Sequence, residues 1–428
     1  QRAAVLVAER GLGHDAGAGE QRQRLAQDAA LGDGDDDRFA HGRGLYAGRR
    51  GGAIQGQEGD PMAIDEKVRE AFRIQEFYCG HMDAPMYARL CGAVAAGLTR
   101  ASRTGARVLD WPGEPTRDAL PLRLCGGLHA LVRGRRDAGL AAIFAGEITA
   151  PDGIAAALNA ALVRHDDALY PWLDGPPQTN EPGRSGALML GLMEIARRHG
   201  PRIELLEIGS SAGLNLLIDR YAFDLGGVKL GPVDSPVTIR PEWRGEPPAP
   251  VEMTIASVRG CDIQPLDATD PAVEARLLAY VWPETPARAE RLTRAIAMQR
   301  ARGVDLVRAD AAEWLEARLA EPQEPGVTRV LMHSVVWQYL PEDSANRVRA
   351  AMAAAGARAT AERPLGWVMM EPDRAFAHQV VQVKSWPGHD EWAVLGTAHA
   401  HGTWVRNGIF EEDRRGFALP ESAKVEAG

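Results

Sequence analysis

Apolar residues recur at helical spacing from Asp65 to about Asn159. Val68, Ala71, Phe72, Ile74 and Phe77 form one stripe, Met86 to Leu98 a second, Leu120 to Val132 a third and Ala138 to Phe144 a fourth. This recurrence at three and four residues marks amphipathic helices. Asp110-Trp111-Pro112-Gly113 interrupts the series and reads as a break. A helical domain is expected over roughly 62–175. Tyr170-Pro171-Trp172 and Asp174-Gly175-Pro176-Pro177 then form a turn-rich boundary, and the pattern changes. A helix at Ala187–Arg198 is followed by short apolar runs ending at Glu207, Val258, Val307, Val336 and Glu371, with helical segments between them. Strands alternating with helices predict an α/β domain with a mostly parallel sheet, expected over 176–410 with 411–428 as a tail. Gln379–Ser385, Trp392–Thr397 and His401–Val405 read as antiparallel strands closing one edge. Phe223 to Pro250, rich in Gly and Pro with a β-like piece at Pro236–Arg240, reads as an inserted hairpin or excursion.

The most informative stretch is 204–221. An apolar strand ends at Glu207, a small-residue turn runs from Gly209 to Gly213, and an amphipathic helix is expected from Leu214. A turn of that kind brings bare backbone close to a ligand, and a helix N-terminus behind it would add unpaired N–H donors. Three known turns share the outline. The dinucleotide fingerprint needs Gly-x-Gly-x-x-Gly, but Ser211 and Leu214 fill its second and third glycine positions. The nucleophile elbow needs Gly-x-Ser-x-Gly, which Gly209-Ser210-Ser211-Ala212-Gly213 satisfies literally, with Ser211 as nucleophile and His399 or His401 as its base. No His-Gly-Gly-type oxyanion segment lies upstream. The third resembles the first motif of class I S-adenosylmethionine-dependent methyltransferases, Glu/Asp-x-Gly-x-Gly-x-Gly. Glu207, Gly209 and Gly213 match it, and Ser211 replaces the middle glycine. Glu207 favours this third turn, because a carboxylate at the strand end has a role if it orients the loop and the cationic amino-acid end of the cofactor.

That resemblance implies a Rossmann-like sheet and a set of cofactor contacts. Glu207, Gly209, Ser210, Ser211 and Gly213 would form the cradle, the Ser211 Cβ narrowing it and its hydroxyl offering a bond to the cofactor's carboxylate. Asp262 would take the ribose hydroxyls, since a carboxylate accepts two hydrogen bonds from a vicinal diol. The separation of Asp262 from Gly213 exceeds the usual ~20 residues, so the excursion must be real; otherwise Asp224 is the competitor. Asp310 would accept from the adenine amine, a role compatible with capping the helix that starts at Ala311. Ser334 completes the cofactor set. Ligands of open α/β sheets lie outside the carboxyl ends of strands, so His333, Trp337, Gln338 and Tyr339 are expected on the substrate side, with His333 or Tyr339 as candidate catalytic base. Asn180, Glu181 and Arg184 precede the cradle strand and are candidates for the same pocket, although Thr179 or Asn180 would equally cap the following helix, with Pro182 in its first turn. Beyond the cradle, the chain resembles an uncharacterised bacterial family, domain-of-unknown-function family 2332, in Thr179–Ser185, Leu206–Tyr221, Gly260-Cys261-Asp262 with Pro265-Leu266-Asp267, Val281-Trp282-Pro283 and His333–Leu340. The likeness covers about 62–410 and carries no assigned reaction.

Composition narrows the partners. A net charge of −9 with no long basic run makes non-specific nucleic-acid or anionic-membrane binding a poor expectation. No apolar stretch is long enough for a membrane span. Cys79, Cys91, Cys125 and Cys261 form no Cys-x-x-Cys pair, so no metal is expected and a reduced, cytoplasmic protein is the simplest inference. The Arg-rich helix Ala287–Ala301 reads as a solvated face. Residues 1–61 lack Cys, Trp, Lys and Met and are expected to be disordered, with native translation starting at Met62. The expected activity is methyl transfer from S-adenosylmethionine to a small or medium-sized acceptor. A catalytically inactive cofactor-binding module and a serine hydrolase are the competing readings.

Overall fold

The computed structural model describes residues 61–81, 84–373, 375, 376, 378–410 and 413. The expectations for 1–60 and for nearly all of the tail therefore lie outside the described residues. The chain divides into two compact units, one ending at Pro177 and including Trp282–Glu284, the other made of Gln178–Val281 and the chain from Thr285 onward. Among the described residues no helix is long and apolar enough to cross a membrane.

The first unit is helical: α1 (Pro61–His81), α2 (Pro85–Gly97), α3 (Arg103–Leu109), α4 (Leu120–Arg133), α5 (Ala138–Phe144), α6 (Pro151–Arg164) and α7 (Asp166–Leu169). Its boundaries follow from side-chain caps and prolines. Ser102 accepts from Gly105 N at the start of α3, and Asp137 accepts from Leu140 N at the start of α5. Proline stands in the first turn of α2, α4 and α6, where its missing N–H costs nothing. Phe72, Tyr87, Leu90, Leu124, Leu128 and Leu158 are buried in its core, and Trp282 stacks on Tyr87 at 5.7 Å.

The second unit begins with α8 (Ser185–His199) and continues through β1 (Arg202–Ile208), β2 (Ala222–Leu225), β3 (Val228–Leu230), β4 (Thr238–Ile239), β5 (Glu242–Arg244), β6 (Thr254–Asp262), α9 (Pro271–Ala279), α10 (Pro286–Arg302), β7 (Leu306–Arg308), α11 (Ala311–Ala320), β8 (Thr328–Ser334), α12 (Glu342–Gly356), β9 (Leu365–Pro372), β10 (Gln379–Trp386), β11 (His389–Ala398) and β12 (Trp404–Asn407). Nine strands make one mostly parallel sheet in the order β5-β12-β11-β10-β9-β8-β1-β6-β7. Pairings among β7, β6, β1, β8 and β9 are parallel, and β9 to β12 are joined antiparallel. From β1 the chain builds outward through β6 and β7, then returns to the other side of β1 at β8. That reversal makes the carboxyl ends of β1 and β8 the topological switch point of the sheet, the position at which open α/β sheets have their ligand crevice. The Gly- and Pro-rich excursion folds as a separate small sheet, β3-β2-β4, and supplies β5 to the outer edge of the large one.

One expectation fails here. No α-helix follows the turn after β1; Leu214–Leu217 is a single 3-10 turn. Leu214, Asn215, Leu216, Leu217 and Ile218 are all buried, so the segment has no polar face to turn to solvent. The Tyr221 hydroxyl donates to the Leu214 carbonyl and closes the turn before a second helical turn forms. The cradle thus lacks the dipole of a long helix behind it.

At the opposite end of the central strands an ionic network fixes their register. Glu204 of β1 stands opposite Arg329 of β8 and accepts from its Nε at 2.9 Å, while Arg259 of β6 donates to the other oxygen at 2.6 Å. Arg329 is buried and gives its remaining donors to the carbonyls of Arg318, Glu321 and Pro322. Glu204→Ala would leave that guanidinium buried without its carboxylate, and the expected loss is about 3 kcal/mol, read as a lower urea midpoint.

Candidate functional site

The cradle expected from the sequence lies at the carboxyl end of β1. Gly209 and Gly213 have φ of +69° and +75°, and Ser211 between them has φ +54°. A Cβ on Gly209 would stand 2.1 Å from Val336 Cγ2, so glycine is required there by backbone conformation and by close packing alike. The Ser210 N–H donates to the Cys261 carbonyl at 3.0 Å, and Leu266 N donates to the Ser211 carbonyl. These bonds tie the turn to the end of β6. Asp262 reinforces the tie, accepting from Ser211 N at 2.8 Å with one oxygen and from Gln264 N at 2.8 Å with the other. Two cradle atoms remain orphaned. Glu207 Oε2 and Ser211 Oγ are buried and make no hydrogen bond. Burial pushes the Glu207 carboxyl up to about 8, the nearby Asp262 adding to the rise and Arg184 opposing it.

The segment before α8 is held by one buried carboxylate. Glu181 accepts from Arg288 Nε at 2.8 Å, from Arg291 at 2.8 Å and from Gly183 N at 2.9 Å. Burial alone would raise its carboxyl, but Arg288 and Arg291 outweigh burial and hold it at about 2. With Glu181 fixed, its neighbours take set positions. Asn180 accepts from Leu214 N at 2.7 Å, so it caps the turn behind the cradle, whereas the reading as a cap of α8 is not what forms. Arg184 is buried and donates to the Ala400 carbonyl at 2.9 Å and the Ser334 carbonyl at 3.4 Å. It has no ion pair among the described residues. Burial pulls its guanidinium below the usual range, against the fields of Glu181, Tyr339 and Glu371.

The ends of β8 and β9 complete the crevice. His333 is fully buried. Its Nε2 accepts from Trp367 Nε1 at 2.9 Å, so the ring proton sits on Nδ1 and is donated to Glu371 Oε1 at 2.7 Å. Both nitrogens are occupied, and this ring does not offer the free base expected of His333. Trp337 stacks on it at 5.2 Å, with the Arg349 guanidinium 5.1 Å above Trp337; Gln338 and Tyr339 are exposed beyond. Val335 follows Ser334 at φ +54°, a left-handed conformation unusual for a β-branched residue. Its N–H bonds the Met370 carbonyl, and Val336 N donates to Glu371 Oε1 at 3.0 Å. Glu371 Oε2 is left buried and unpartnered.

Other expected residues fall elsewhere or already carry several hydrogen bonds. Asp310 caps α11, accepting from Ala312 N, Glu313 N and Ser344 Oγ, so the capping half of its two expected roles accounts for both oxygens. Asp224 lies in the small sheet, paired with Arg240. Ser211 Oγ has no base in hydrogen-bond contact, which an activated serine requires. Burial and the Arg288 charge keep His399 down at about 4, and the same causes push His401 well below the usual imidazole range. No group of three or more His, Cys, Asp or Glu side chains among the described residues is arranged to hold a metal.

A family model described as an uncharacterized protein conserved in bacteria (DUF2332) matches residues 69–407. The chain belongs to this family. A search of the curated proteins and of the solved structures finds no match. The span shared with the DUF2332 family includes every residue of the crevice. Within that span, sequence reading missed Glu371, Arg288 and Arg291. Glu371 carried the same mark as Glu207, a carboxylate ending an apolar strand. The two arginines lay on a helix read as a solvated face, and Arg288 is instead buried.

Two opposite pH dependences follow. Glu181, depressed to about 2 from 4.5, stabilises the fold in full above pH 4.5, and that contribution fades as pH falls toward 2. Glu181→Gln should cost about 3 kcal/mol near neutrality by stranding Arg288 and remove that acid-limb dependence. Glu207, raised from 4.5 to about 8, binds its proton more tightly in the folded state, so stability declines as pH rises between those values. Glu207→Gln should flatten the urea midpoint over that interval; an unchanged slope would mean the carboxyl is not buried as described.

Proposed function

We propose that the crevice between β1 and β8 binds S-adenosylmethionine and that the protein is a methyltransferase acting on a small or medium-sized acceptor. One observation carries this reading: at the carboxyl end of β1, a buried carboxyl and a buried serine hydroxyl, Glu207 Oε2 and Ser211 Oγ, have no partner within the protein. Buried polar atoms are nearly always satisfied, and these two stand on a strained turn at the point where the strand order reverses. Backbone strain of that kind collects at ligand sites. The order of the parallel strands, outward from β1 through β6 and β7 and then across to β8 and β9, is that of nucleotide-binding doubly wound sheets.

The donor set fits the cofactor at two of its three parts. Glu207 would face the cationic methionyl and sulfonium part. Asp262, at the end of β6, keeps acceptor capacity on both oxygens for a ribose diol. Asp310 already accepts three hydrogen bonds as a helix cap, and the single acceptor site left on its Oδ2 makes the adenine contact the least supported of the three. The bound cofactor would supply an electrophilic methyl group on a sulfonium; the protein's part is to bind, orient and exclude water. Arrangement as a hydrolase is not favoured, because the Ser211 hydroxyl has no base in contact.

Calorimetric titration with S-adenosylhomocysteine tests the reading, with saturable binding expected. Absence of binding by folded protein would overturn it. A second readout does not depend on turnover. Glu207 holds its proton up to about pH 8 in the free protein, and a cation placed beside it favours the carboxylate. Binding of S-adenosylmethionine near neutral pH should therefore release a proton, seen as a buffer-dependent heat, and Glu207→Gln should abolish that release.

A further inference from the structure

Two buried charges of opposite sign flank the same loop without touching each other. Arg184 binds the Ser334 carbonyl, and Glu371 binds the Val336 amide. Between them stands Val335 in its left-handed conformation. Both side chains are more than nine-tenths buried. The guanidinium spends its hydrogen bonds on two backbone carbonyls, and Glu371 Oε2 has no partner. Another buried polar atom without a partner, His401 Nδ1, belongs to the turn that Arg184 reaches through Ala400. Opposite charges this close would gain by pairing, and leaving both in a dry interior unpaired is costly. A ligand carrying both signs would offset that cost.

We propose that Arg184 and Glu371 form a clamp for an α-amino-acid head group, the guanidinium receiving the carboxylate and Glu371 Oε2 the ammonium. Their anchor points are two residues apart, a reach of at most about 7 Å along the chain, which suits a carboxylate and an ammonium carried on one carbon. Arginine presents a planar fork of donors matched to a carboxylate. Glu371, whose first oxygen is already held by His333 and Val336 N, presents its second in a fixed direction. The clamp rests on the crevice being a ligand site. The head group comes either from the methionyl end of S-adenosylmethionine or from an amino-acid methyl acceptor bound beside it.

Three probes separate these sources: S-adenosylhomocysteine, 5′-methylthioadenosine, which lacks the amino-acid end, and the free coded α-amino acids. Titration calorimetry reads the two nucleosides, and saturation-transfer NMR reads the amino acids with S-adenosylhomocysteine present. The variants are Glu371→Gln, which keeps an acceptor oxygen for His333, and Arg184→Lys, which keeps the charge and loses the fork. Circular dichroism and Tm confirm that each folds. If the head group is the cofactor's, both variants weaken S-adenosylhomocysteine about ten-fold or more, the loss of one charge-assisted bond, and leave 5′-methylthioadenosine unchanged. If it is an acceptor's, both nucleosides bind the variants as before, and a free amino acid binds the wild type but neither variant. Failure of both nucleosides to bind the wild type sinks the cofactor reading alone, since the amino-acid arm still decides the clamp. Unchanged S-adenosylhomocysteine affinity together with no amino-acid binding to the wild type overturns the clamp.

Discussion

The candidate site depends on Glu181. A carboxylate buried this deeply survives as an ion only because two guanidiniums from one helix, Arg288 and Arg291, close on it from α10. That ion pair joins the segment before α8 to a helix more than a hundred residues later. With the segment pinned, Asn180 reaches Leu214 N and sets the turn behind the cradle, while Arg184 reaches Ser334 and Ala400 and places a charge in the crevice. Side chains on both sides of one five-residue stretch are thus positioned by a single electrostatic contact.

The two ends of the central strands treat charge differently. At the amino end, Glu204 and Glu321 pair with Arg259 and Arg329, and Arg329 also donates to the surrounding carbonyls. At the carboxyl end, Glu207, Glu371 and Arg184 are buried near one another and none is ion-paired to another residue of the crevice. Among the described residues of this unit, the non-glycine residues with positive φ, Ser211 and Val335, both lie at that end, beyond adjacent strands. Folding alone gives no reason to strain two turns and leave Arg184, Glu371 and a buried protonated Glu207 without ion pairs on one edge of a sheet whose other edge pairs its carboxylates with arginines. Binding gives one.

The strands were legible in the sequence because each is a short apolar run bounded by turn residues. The excursion was legible from its Gly and Pro content. The helix expected after β1 was not, since five consecutive buried positions leave no solvent face and period alone does not separate a buried helix from a buried 3-10 turn. Glu207 was legible as a strand-end carboxylate, and Glu371 was equally so, though its strand lacked a glycine turn to draw notice. Arg288 and Arg291 were illegible in principle. An arginine turned to solvent and one turned onto a buried carboxylate look alike until the distant Glu181 is brought beside them. His333 stood in the right place with the wrong chemistry, because its partners Trp367 and Glu371 come from the next strand.

Residue type at a strand end is therefore a weaker guide than the hydrogen bonds left over once the fold has made its own. Asp262 and Asp310 occupy the positions that a nucleotide-binding sheet would predict, yet backbone N–H groups and Ser344 already hold their oxygens. Asp310 is fully explained by its cap, and Asp262 by its tie to the cradle with lone pairs to spare. Glu207 and Glu371 sit one strand apart with an oxygen each that nothing in the protein satisfies. A carboxyl oxygen taken out of water without a partner costs more than most single contacts contribute. On the proposed reading, two such oxygens near an arginine that bonds only carbonyls point to the β1, β8 and β9 side of the crevice more strongly than the glycine pattern that first drew attention to it.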